Sequence, residues 1–422
     1  MSPVRMVGRL ALAAALAATL ATGCGSRVPP EATAPLPIAQ ASHVAAQASH
    51  VAAQASPATA QASHAAAQAQ GPALRIIGTV NIPSGIELLG TPLGGLSGID
   101  YDAASDQYLL ISDDRSLRAP ARVYTARIPL DAHTLQPPQW LQVQHLLHAT
   151  GVPYPSSRRA ASGMDAPDAE AVRWLPGARQ FVWTSEGDFA RGFGPQMRVN
   201  NADGTAVRDI ALPASFAPAA DRQSGPRNNG TLEGLALLPG GRKAWLAMEL
   251  PWVQDGPLPT HTAQGGPVRL TLVELATGRA LRQIAYQPDA VHHARPLPVG
   301  PETVGISEVL ADGKHHLLVL ERSYSAGAGF SVRLYRIDTR AGTNTLARAQ
   351  LAPGNHVPVP KTLVADFAAL GISPVDNLEG MTWGPVLPGG ARTLVFVSDD
   401  NFNPGQVTQF IAAQYIPPTP ER

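Results

Sequence analysis

Short apolar runs alternate with polar segments rich in Gly, Pro, Asn and Asp from residue 73 to the end of the chain. Almost no long stretch follows the 3.6-residue period of an amphipathic helix. Short apolar runs bounded by turn residues are typical of β-strands. The pattern therefore predicts an all-β domain over residues 73–422.

One hairpin pattern recurs five times within this domain. Each copy has a small or acidic residue, a short strand, a polar Gly/Asp-rich turn, a second strand and then an acid. The copies are spaced by 73, 63, 75 and 71 residues, although the hairpin keeps one size, so the insertions are predicted to be loops between hairpins. The anchor residues of the five copies are Ser97, Glu170, Glu233, Glu308 and Glu379.

Further strand candidates follow each hairpin and complete a four-stranded unit. Third strands are predicted at 122–128, 196–201, 268–278, 331–342 and 406–416, and fourth strands at 140–147, 207–212, 280–286 and after Thr343. The fifth unit runs out of chain, so residues 74–82 are predicted to supply its outer strand and to join the two ends of the domain.

Radial repetition of such a unit predicts a β-propeller, whose closure protects the sheet edges. We count five blades. A sixth, degenerate blade within 285–303 or 343–375 is an open alternative. A pair of β-sandwiches is disfavoured, because one supersecondary unit repeats along the whole domain.

Composition and charge exclude some partners. The 32 basic and 32 acidic residues balance and form no long basic run, so we expect no nucleic-acid partner. We expect a monomer whose function comes from local sites. The sequence contains no G-x-S-x-G, H-E-x-x-H, P-loop or EF-hand motif.

The N-terminus has the pattern of a secretory signal. Arg5 and Arg9 precede an apolar stretch, and residues 1–23 are predicted to be the signal peptide of a lipoprotein. Cys24, the one cysteine, ends "LATGC", which resembles a bacterial lipobox, so we predict its lipidation; an ordinary cleaved signal is the alternative.

The segment after this cysteine is predicted to be a tether. Residues 24–72 are rich in Ala, Gln, Ser and His and would link the lipid to the domain at 73–422. Gly25 replaces the aspartate associated with inner-membrane retention. We therefore expect a bacterial cell-envelope protein whose lipid anchor lies in the outer membrane, facing the periplasm, rather than in the inner membrane.

The recurrent acids are candidate site residues. The first strand of each propeller blade lines the central channel, so Glu170, Glu233, Glu308 and Glu379 are expected to converge at one mouth. A second set of acids ends the second strands and is expected at the same mouth. Its members are Asp113, Asp114, Glu186, Glu249, Glu321, Asp399 and Asp400.

Carboxylates gathered in this way are neutralised by cations, and an all-oxygen site suits Ca²⁺, or Mg²⁺, better than zinc. Two other interpretations stay open, namely structural hydrogen bonding between blades and direct acid–base catalysis. Arg115 and Arg322 directly follow acids of the second set and could pair with them.

Several motifs together resemble one family. "LSGIDYDAASDQYLLISDDR", "DAEAV", "SEGD", "TLEGLALLPGG", "ISEVL", "VLERSY" and "NLEGMTWGP" are similar to the phytase-like family of bacterial secreted proteins, also described as "esterase-like activity of phytase". The similarity spans roughly residues 74–416. It implies a propeller that hydrolyses phosphate esters, with calcium bridging the acidic side chains named above and substrate phosphates.

The sequence departs from the propeller phytases that this resemblance suggests. Those proteins have six blades and a cluster of lysines for phosphate, whereas Lys243, Lys314 and Lys361 are the only lysines here. Phytate is therefore a disfavoured substrate, although arginines could replace lysines.

Two hypotheses follow for the function. The first is a lipid-anchored, cation-dependent hydrolase of phosphate or other small-molecule esters, with Glu233, Glu379, Arg115 and Arg322 as candidate catalytic residues. The second is a non-catalytic propeller that binds a ligand or a protein, in which the acids tie the blades together.

Overall fold

The structure, a computed structural model, describes residues 71–161 and 163–419. The predicted signal peptide, Cys24 and the tether lie outside these residues. Within them the chain forms β-strands and three short 3₁₀ helices at Phe189–Arg191, Ala214–Phe216 and Val253–Asp255. None of its described helices is long and apolar enough to cross a membrane.

Twenty-two strands are present in the described part of the chain. In chain order they are β1 (Ala73–Pro83), β2 (Glu87–Leu88), β3 (Thr91–Pro92), β4 (Leu96–Asp102), β5 (Gln107–Ser112), β6 (Arg122–Arg127), β7 (Gln139–His145), β8 (Ala169–Trp174), β9 (Gln180–Ser185), β10 (Gln196–Asn201), β11 (Ala206–Ile210), β12 (Leu232–Leu237), β13 (Lys243–Met248), β14 (Val268–Glu274), β15 (Ala280–Tyr286), β16 (Glu302–Asp312), β17 (His316–Ser325), β18 (Gly329–Asp338), β19 (Lys361–Asp366), β20 (Asn377–Trp383), β21 (Arg392–Asp399) and β22 (Val407–Ile416).

Twenty of these strands form five four-stranded antiparallel sheets, and β2 pairs with β3 in a small hairpin. Blades one to four contain β4–β7, β8–β11, β12–β15 and β16–β19, each in sequence order. Blade five contains β20, β21 and β22, with β1 as its outer strand. The five-bladed propeller predicted from the repeats is confirmed. Residues 285–303 and 343–375 supply loops and β19, and no sixth blade occurs in the described chain.

The ring closes in two ways. The inner strands β4, β8, β12, β16 and β20 contact one another in cyclic order, including β20 with β4. The outer strand β1 pairs with β22 from Ala73 opposite Ile416 to Pro83 opposite Val407. This pairing confirms the predicted closure, and it leaves no unpaired edge on β22.

Each inner strand carries a register shift near its first residues. The shift follows Leu96, Ala169, Leu232, Ile306 and Leu378 in the five blades. A bulge of this kind re-aims a side chain without ending the strand. The bulged positions are Ser97, Glu170, Glu233, Ser307 and Glu379, which lie at the same end of the channel.

Glycine after the bulge lets neighbouring inner strands approach. A Cβ on Gly98 would lie 2.4 Å from the carbonyl oxygen of Glu170, and one on Gly234 would lie 2.9 Å from the amide nitrogen of Val309. Both distances are too short for any side chain. This close approach explains why an acid is followed by glycine in the repeated motif.

A buried ion pair occupies the channel axis below the bulges. Arg173 of blade two donates to Glu308 of blade four at 2.6 Å, and both residues are almost completely buried. The guanidinium also donates to carbonyl oxygens of Ile99 and Met381, and Glu308 accepts from the amide of Leu235 at 2.9 Å. All five blades therefore contact this pair, which ties them together around the axis.

Candidate functional site

A cavity of about 850 Å³ opens at the channel end where the inner strands begin. We call it the acidic cup, because nine acidic side chains and three arginines line it together with polar and aromatic residues. Its acids are Asp113, Asp114, Asp168, Glu170, Glu186, Glu233, Glu249, Glu379 and Asp399, and its arginines are Arg115, Arg118 and Arg322.

Two rings of side chains build the cup. The bulged positions of the inner strands supply Glu170, Glu233 and Glu379. The second ring comes from the second strand of each blade. The residue before the bulge has a partner on that strand, as Leu96 pairs with Ser112 and Ile306 with Glu321, and the ring member is the residue that follows this partner. In blades one to five its members are Asp113, Glu186, Glu249, Arg322 and Asp399.

Blade four differs from the other blades. Its bulge carries Ser307, so the following Glu308 takes the place of the glycine and enters the axial ion pair instead of the cup. Because side chains alternate between faces along a strand, a displacement of one residue sends the carboxylate to another environment. The expected convergence of Glu308 with the other anchor acids is therefore not found.

Glu321 is likewise absent from the lining of the cup. It is fully buried beside blade three, where it accepts from the hydroxyl of Tyr286 at 2.5 Å and from Lys361 Nζ at 2.5 Å. Lys361 also lies 2.7 Å from Asp289. Glu321, Asp289 and His292 could together hold a metal ion by their spacing, but the lysine ammonium already supplies the positive charge there.

Two acids of the predicted second set have structural partners. Asp114 lines the cup, but its carboxylate accepts from the buried Arg122 at 2.6 Å and from the amide of Ala119 at 2.9 Å. Asp400 accepts from the amides of Gly95 at 3.0 Å and Phe402 at 3.1 Å. Both side chains therefore hold loops at the rim.

Arg322 lies among the cup carboxylates. Its Nη2 is 3.1 Å from Glu249 Oε1 and 3.1 Å from Glu379 Oε1. Asn377 donates to the same oxygen of Glu379 at 2.9 Å and to Asp399 at 3.2 Å. Glu379 is thus held by two donors, and the Nε of Arg322 is buried with no partner in the described chain.

Arg115 bridges two acids at the blade-two side of the cup. It donates to Asp188 at 2.9 Å and lies 3.5 Å from Asp168. Asp188 also caps a short 3₁₀ helix by accepting from the amides of Ala190 and Arg191. Arg115 is therefore engaged on the wall of the cup.

Four cup carboxylates accept no hydrogen bond from a described residue, namely Asp113, Asp168, Glu170 and Glu233, although Asp168 lies 3.5 Å from Arg115. Glu170 and Glu233 are 6% and 7% exposed. The Oδ1 of Asn377, which is 4% exposed, also lacks a partner in the described chain. A buried oxygen without a donor, such as that of Asn377, is costly, and a cation bound in the cup would satisfy it and neutralise the carboxylates that line the cavity.

Burial and mutual repulsion perturb the acids. Desolvation, together with neighbouring carboxylates, raises the pKa values of Asp113, Glu170, Glu186, Glu233 and Asp399 well above their ordinary range. Desolvation also raises the pKa of Asp168 to about 7, although Arg115 opposes the rise. Burial and repulsion thus favour protonation of these acids, and positive charge in the cup would oppose it.

Two groups of these acids have the spacing of metal ligands. One is Asp168, Glu170 and Glu186, and the other is Glu186, Glu233 and Glu249; within each group the nearest oxygens lie within 4.8 Å of one another. Oxygens around Ca²⁺ sit at roughly 2.3–2.6 Å from the ion, so this separation fits. Glu186 belongs to both groups. The donor set therefore fits one or two hard divalent cations.

A family model for phytase-like proteins, described as "esterase-like activity of phytase", matches residues 91–402. This span contains every acidic residue of the cup. The chain belongs to the phytase-like family. No curated protein matched this phytase-like chain.

Several solved structures are distantly similar to the phytase-like protein. A bifunctional GH43-CE protein of Bacteroides eggerthii is 8% identical over 81% of this chain and 34% of its own, with a TM-score of 0.38. An α-L-arabinofuranosidase from Lactobacillus brevis is 11% identical over 76% and 91%, with a TM-score of 0.39.

The β-propeller domain of Cps50 (Swd1) from Myceliophteria thermophila is 10% identical over 79% of this chain and 98% of its own, with a TM-score of 0.32. The phytase-like chain spans about a third of the length of the Bacteroides protein. These similarities are too distant to inform the chemistry of the cup.

Asp168 and Asn377 are among the cup residues of the phytase-like protein that were not predicted as site residues. Asp168 and Asn377 each lie two positions before the bulged glutamate of their blade, so both side chains point to the same face as that glutamate. "DAE" and "NLE" share this spacing, which was the available signal in the sequence.

Proposed function

We propose that this phytase-like protein is a hydrolase of phosphate esters that needs a divalent cation, Ca²⁺ or Mg²⁺, in the acidic cup. The observation that carries the proposal is the set of cup carboxylates that have no hydrogen-bond donor. The described lining offers them three arginines and no lysine. Membership of the family supports hydrolysis of an ester as the reaction. We further propose that the lipid anchor at Cys24 holds the enzyme in the bacterial cell envelope.

The ligands are most simply assigned to the residues whose oxygens group together. Asp168, Glu170 and Glu186 would hold the cation, which leaves Glu233 free for another role. Asn377 Oδ1 is an uncharged candidate ligand nearby. A bound cation would offset the phosphate charge and lower the pKa of a water molecule.

The arginines orient the substrate in this proposal. Arg322 lines the cup and is held between Glu249 and Glu379, so its guanidinium would supply a fixed positive charge beside the phosphate. Glu379 and Asn377 position that arginine. Arg115 limits the repulsion from Asp168 and Asp188 at the wall.

Glu233 is the best candidate for the general base. Its carboxylate accepts no hydrogen bond in the described chain, and burial with neighbouring acids raises its pKa. A carboxylate whose pKa approaches the working pH can accept a proton from an attacking water. The proton would leave the water oxygen for Glu233 as that oxygen bonds to phosphorus. The bond from phosphorus to the ester oxygen would break at the same time, and the departing alcohol would take a proton from solvent water.

The proposal is tested by hydrolysis of 4-nitrophenyl phosphate with Ca²⁺ and with EDTA. We expect turnover only with the cation, and we expect Glu233→Gln to lower kcat/KM at least about 100-fold while the protein stays folded. Glu274→Gln changes a glutamate outside the cup and is the matched control. Equal rates in EDTA, or full activity of Glu233→Gln, would contradict the mechanism. Absence of any turnover with Ca²⁺, and in a second assay with Mg²⁺, would favour the non-catalytic binding propeller.

A further inference from the structure

Blade four rises above the rest of the cup wall. Its strands β16, β17 and β18 contain 11, 10 and 10 residues, whereas β12, β13 and β14 of blade three contain 6, 6 and 7. The added residues lie at the cup end, because the pairing continues past Gly305 and Arg322 to Glu302 opposite Ser325. This extension forms a wall beside the entrance.

An aromatic pair stands on this wall directly beyond Arg322. Tyr324 is two residues from Arg322 on β17, so both side chains point to the same face. Tyr324 pairs with Phe330 on β18 and with Thr303 on β16, and the two rings are 4.9 Å apart. All four side chains line the cup. The wall therefore presents a guanidinium at the depth of the acids and an aromatic surface above it.

Another part of the cup wall carries the cation Arg118, whose Nη1 lies 3.6 Å from Asp114 Oδ1. The ring of Phe402 lies over Gly94 and Gly95, where a Cβ would come within 2.9 and 2.7 Å of it. The Arg118 guanidinium lies 4.0 Å from the centre of that ring. Its side chain donates no hydrogen bond to a described residue. Asn401 and Phe402 both have left-handed φ angles of 48° and 49°, which indicates that the neighbouring structure imposes this arrangement.

The number of cations limits how many phosphates the cup can take. Among the described residues, the cationic side chains that line it are Arg115, Arg118 and Arg322, and all three are paired with carboxylates. A substrate with many phosphates would meet excess negative charge. A substrate with a single phosphate and an apolar, planar substituent would fit better. Its phosphate would lie beside Arg322, and its substituent would contact the rings of Tyr324 and Phe330 nearer the entrance.

We infer that the substrate is a phosphate monoester whose alcohol carries a planar ring, with the phosphate beside Arg322 and the ring against Tyr324 and Phe330. This inference rests on the proposed function, since it places the phosphate in the acidic cup. Tyr324 and Phe330 are then specificity-determining residues that bind the leaving group.

The test compares two non-hydrolysable ligands, phenylphosphonate and methylphosphonate, by calorimetry on the whole protein with Ca²⁺. We expect phenylphosphonate to bind about tenfold more tightly than methylphosphonate, the upper end of what one aromatic contact contributes. The double variant Tyr324→Leu with Phe330→Leu should lose this preference and keep its affinity for methylphosphonate. Tyr101→Leu, in an aromatic pair outside the cup, should keep the preference.

The outcomes separate the inference from the proposed function. Equal binding of both phosphonates, or a preference that survives in the double variant, overturns the inference while leaving phosphate hydrolysis intact. Failure of both ligands to bind, together with no hydrolysis of 4-nitrophenyl phosphate, overturns the proposed function and the inference with it. A thermal melt of each variant checks that the loss of preference does not reflect unfolding.

Discussion

Glu233 and Glu308 lie on the first strands of similar hairpins, yet they lie in different surroundings. Glu233 is the bulged residue of its strand and faces the acidic cup without a donor. Glu308 comes one position later relative to its bulge and receives hydrogen bonds from Arg173 and Leu235. The role of each acid thus depends on the register of its strand, not on its residue type.

Replacement of Glu308 by glutamine should reduce stability. Arg173 would keep its buried charge but lose its ionic partner, so we expect the free energy of unfolding to fall by about 3 kcal/mol. Denaturant unfolding measures this change. Ser307→Ala, at the neighbouring bulge, is the control and should cost clearly less. A stability of Glu308→Gln equal to that of the wild type would mean that the axial pair does not hold the blades.

The sequence predicted which residue types gather at the cup, but not every member. Alignment of the repeats on their acids placed Glu308 and Glu321 with the cup residues. Alignment on the apolar residue before the bulge, Ile306 with Leu232, instead pairs Ser307 with Glu233 and Arg322 with Glu249. The absence of a glycine after Ser307 was a signal in the sequence for this second alignment. The signal can be interpreted only when the distance between neighbouring inner strands is known, and the sequence does not give that distance.

At the scale of elements, the inner strands depend on glycine for close packing. The strand pattern, the hairpins and the outer strand from the N-terminus were all predictable, because apolar runs and turn residues mark them directly. The bulges and the extension of blade four were not predicted, since a bulge changes pairing without changing the hydrophobic pattern. These unpredicted features are the ones that aim side chains into the cup.

Gly98→Ala should disrupt the packing of blade one on blade two. Its Cβ would lie 2.4 Å from a backbone oxygen, so one strand must move, and we expect a loss of about 3 kcal/mol in unfolding free energy. Gly405→Ala is the matched control, because its nearest neighbour would be 3.4 Å away and its φ is not left-handed. Equal melting temperatures for the two variants would show that the inner strands are not so tightly packed.

At the scale of the whole molecule, the ring brings acids from four blades to one mouth while blade four contributes an arginine. Acids as far apart in sequence as Asp113 and Asp399 thereby share one cavity. The propeller is closed both by contacts between its inner strands and by the pairing of β1 with β22. The axial ion pair holds the five blades together below the cup. A stable ring is needed here because the cup carboxylates repel one another when they are ionised.

This repulsion links stability to pH with a defined sign. A carboxyl group whose pKa is raised by folding holds its proton more tightly in the folded state than in the unfolded state. Its ionisation therefore destabilises the fold, fully at pH above the folded pKa and not at all below the unfolded one. For Asp168 this window runs from about 7 down to the ordinary value of 3.8.

The most direct test of a cation-binding cup is the melting temperature measured from pH 5.5 to 8, with EDTA and with Ca²⁺. In EDTA we expect the melting temperature to rise as the pH falls. Ca²⁺ at about 100 times its dissociation constant should raise it by about 4 °C at pH 8, and less at pH 5.5, where protons compete. Coincident curves in EDTA and Ca²⁺ across this range would contradict the cation site and the function built on it.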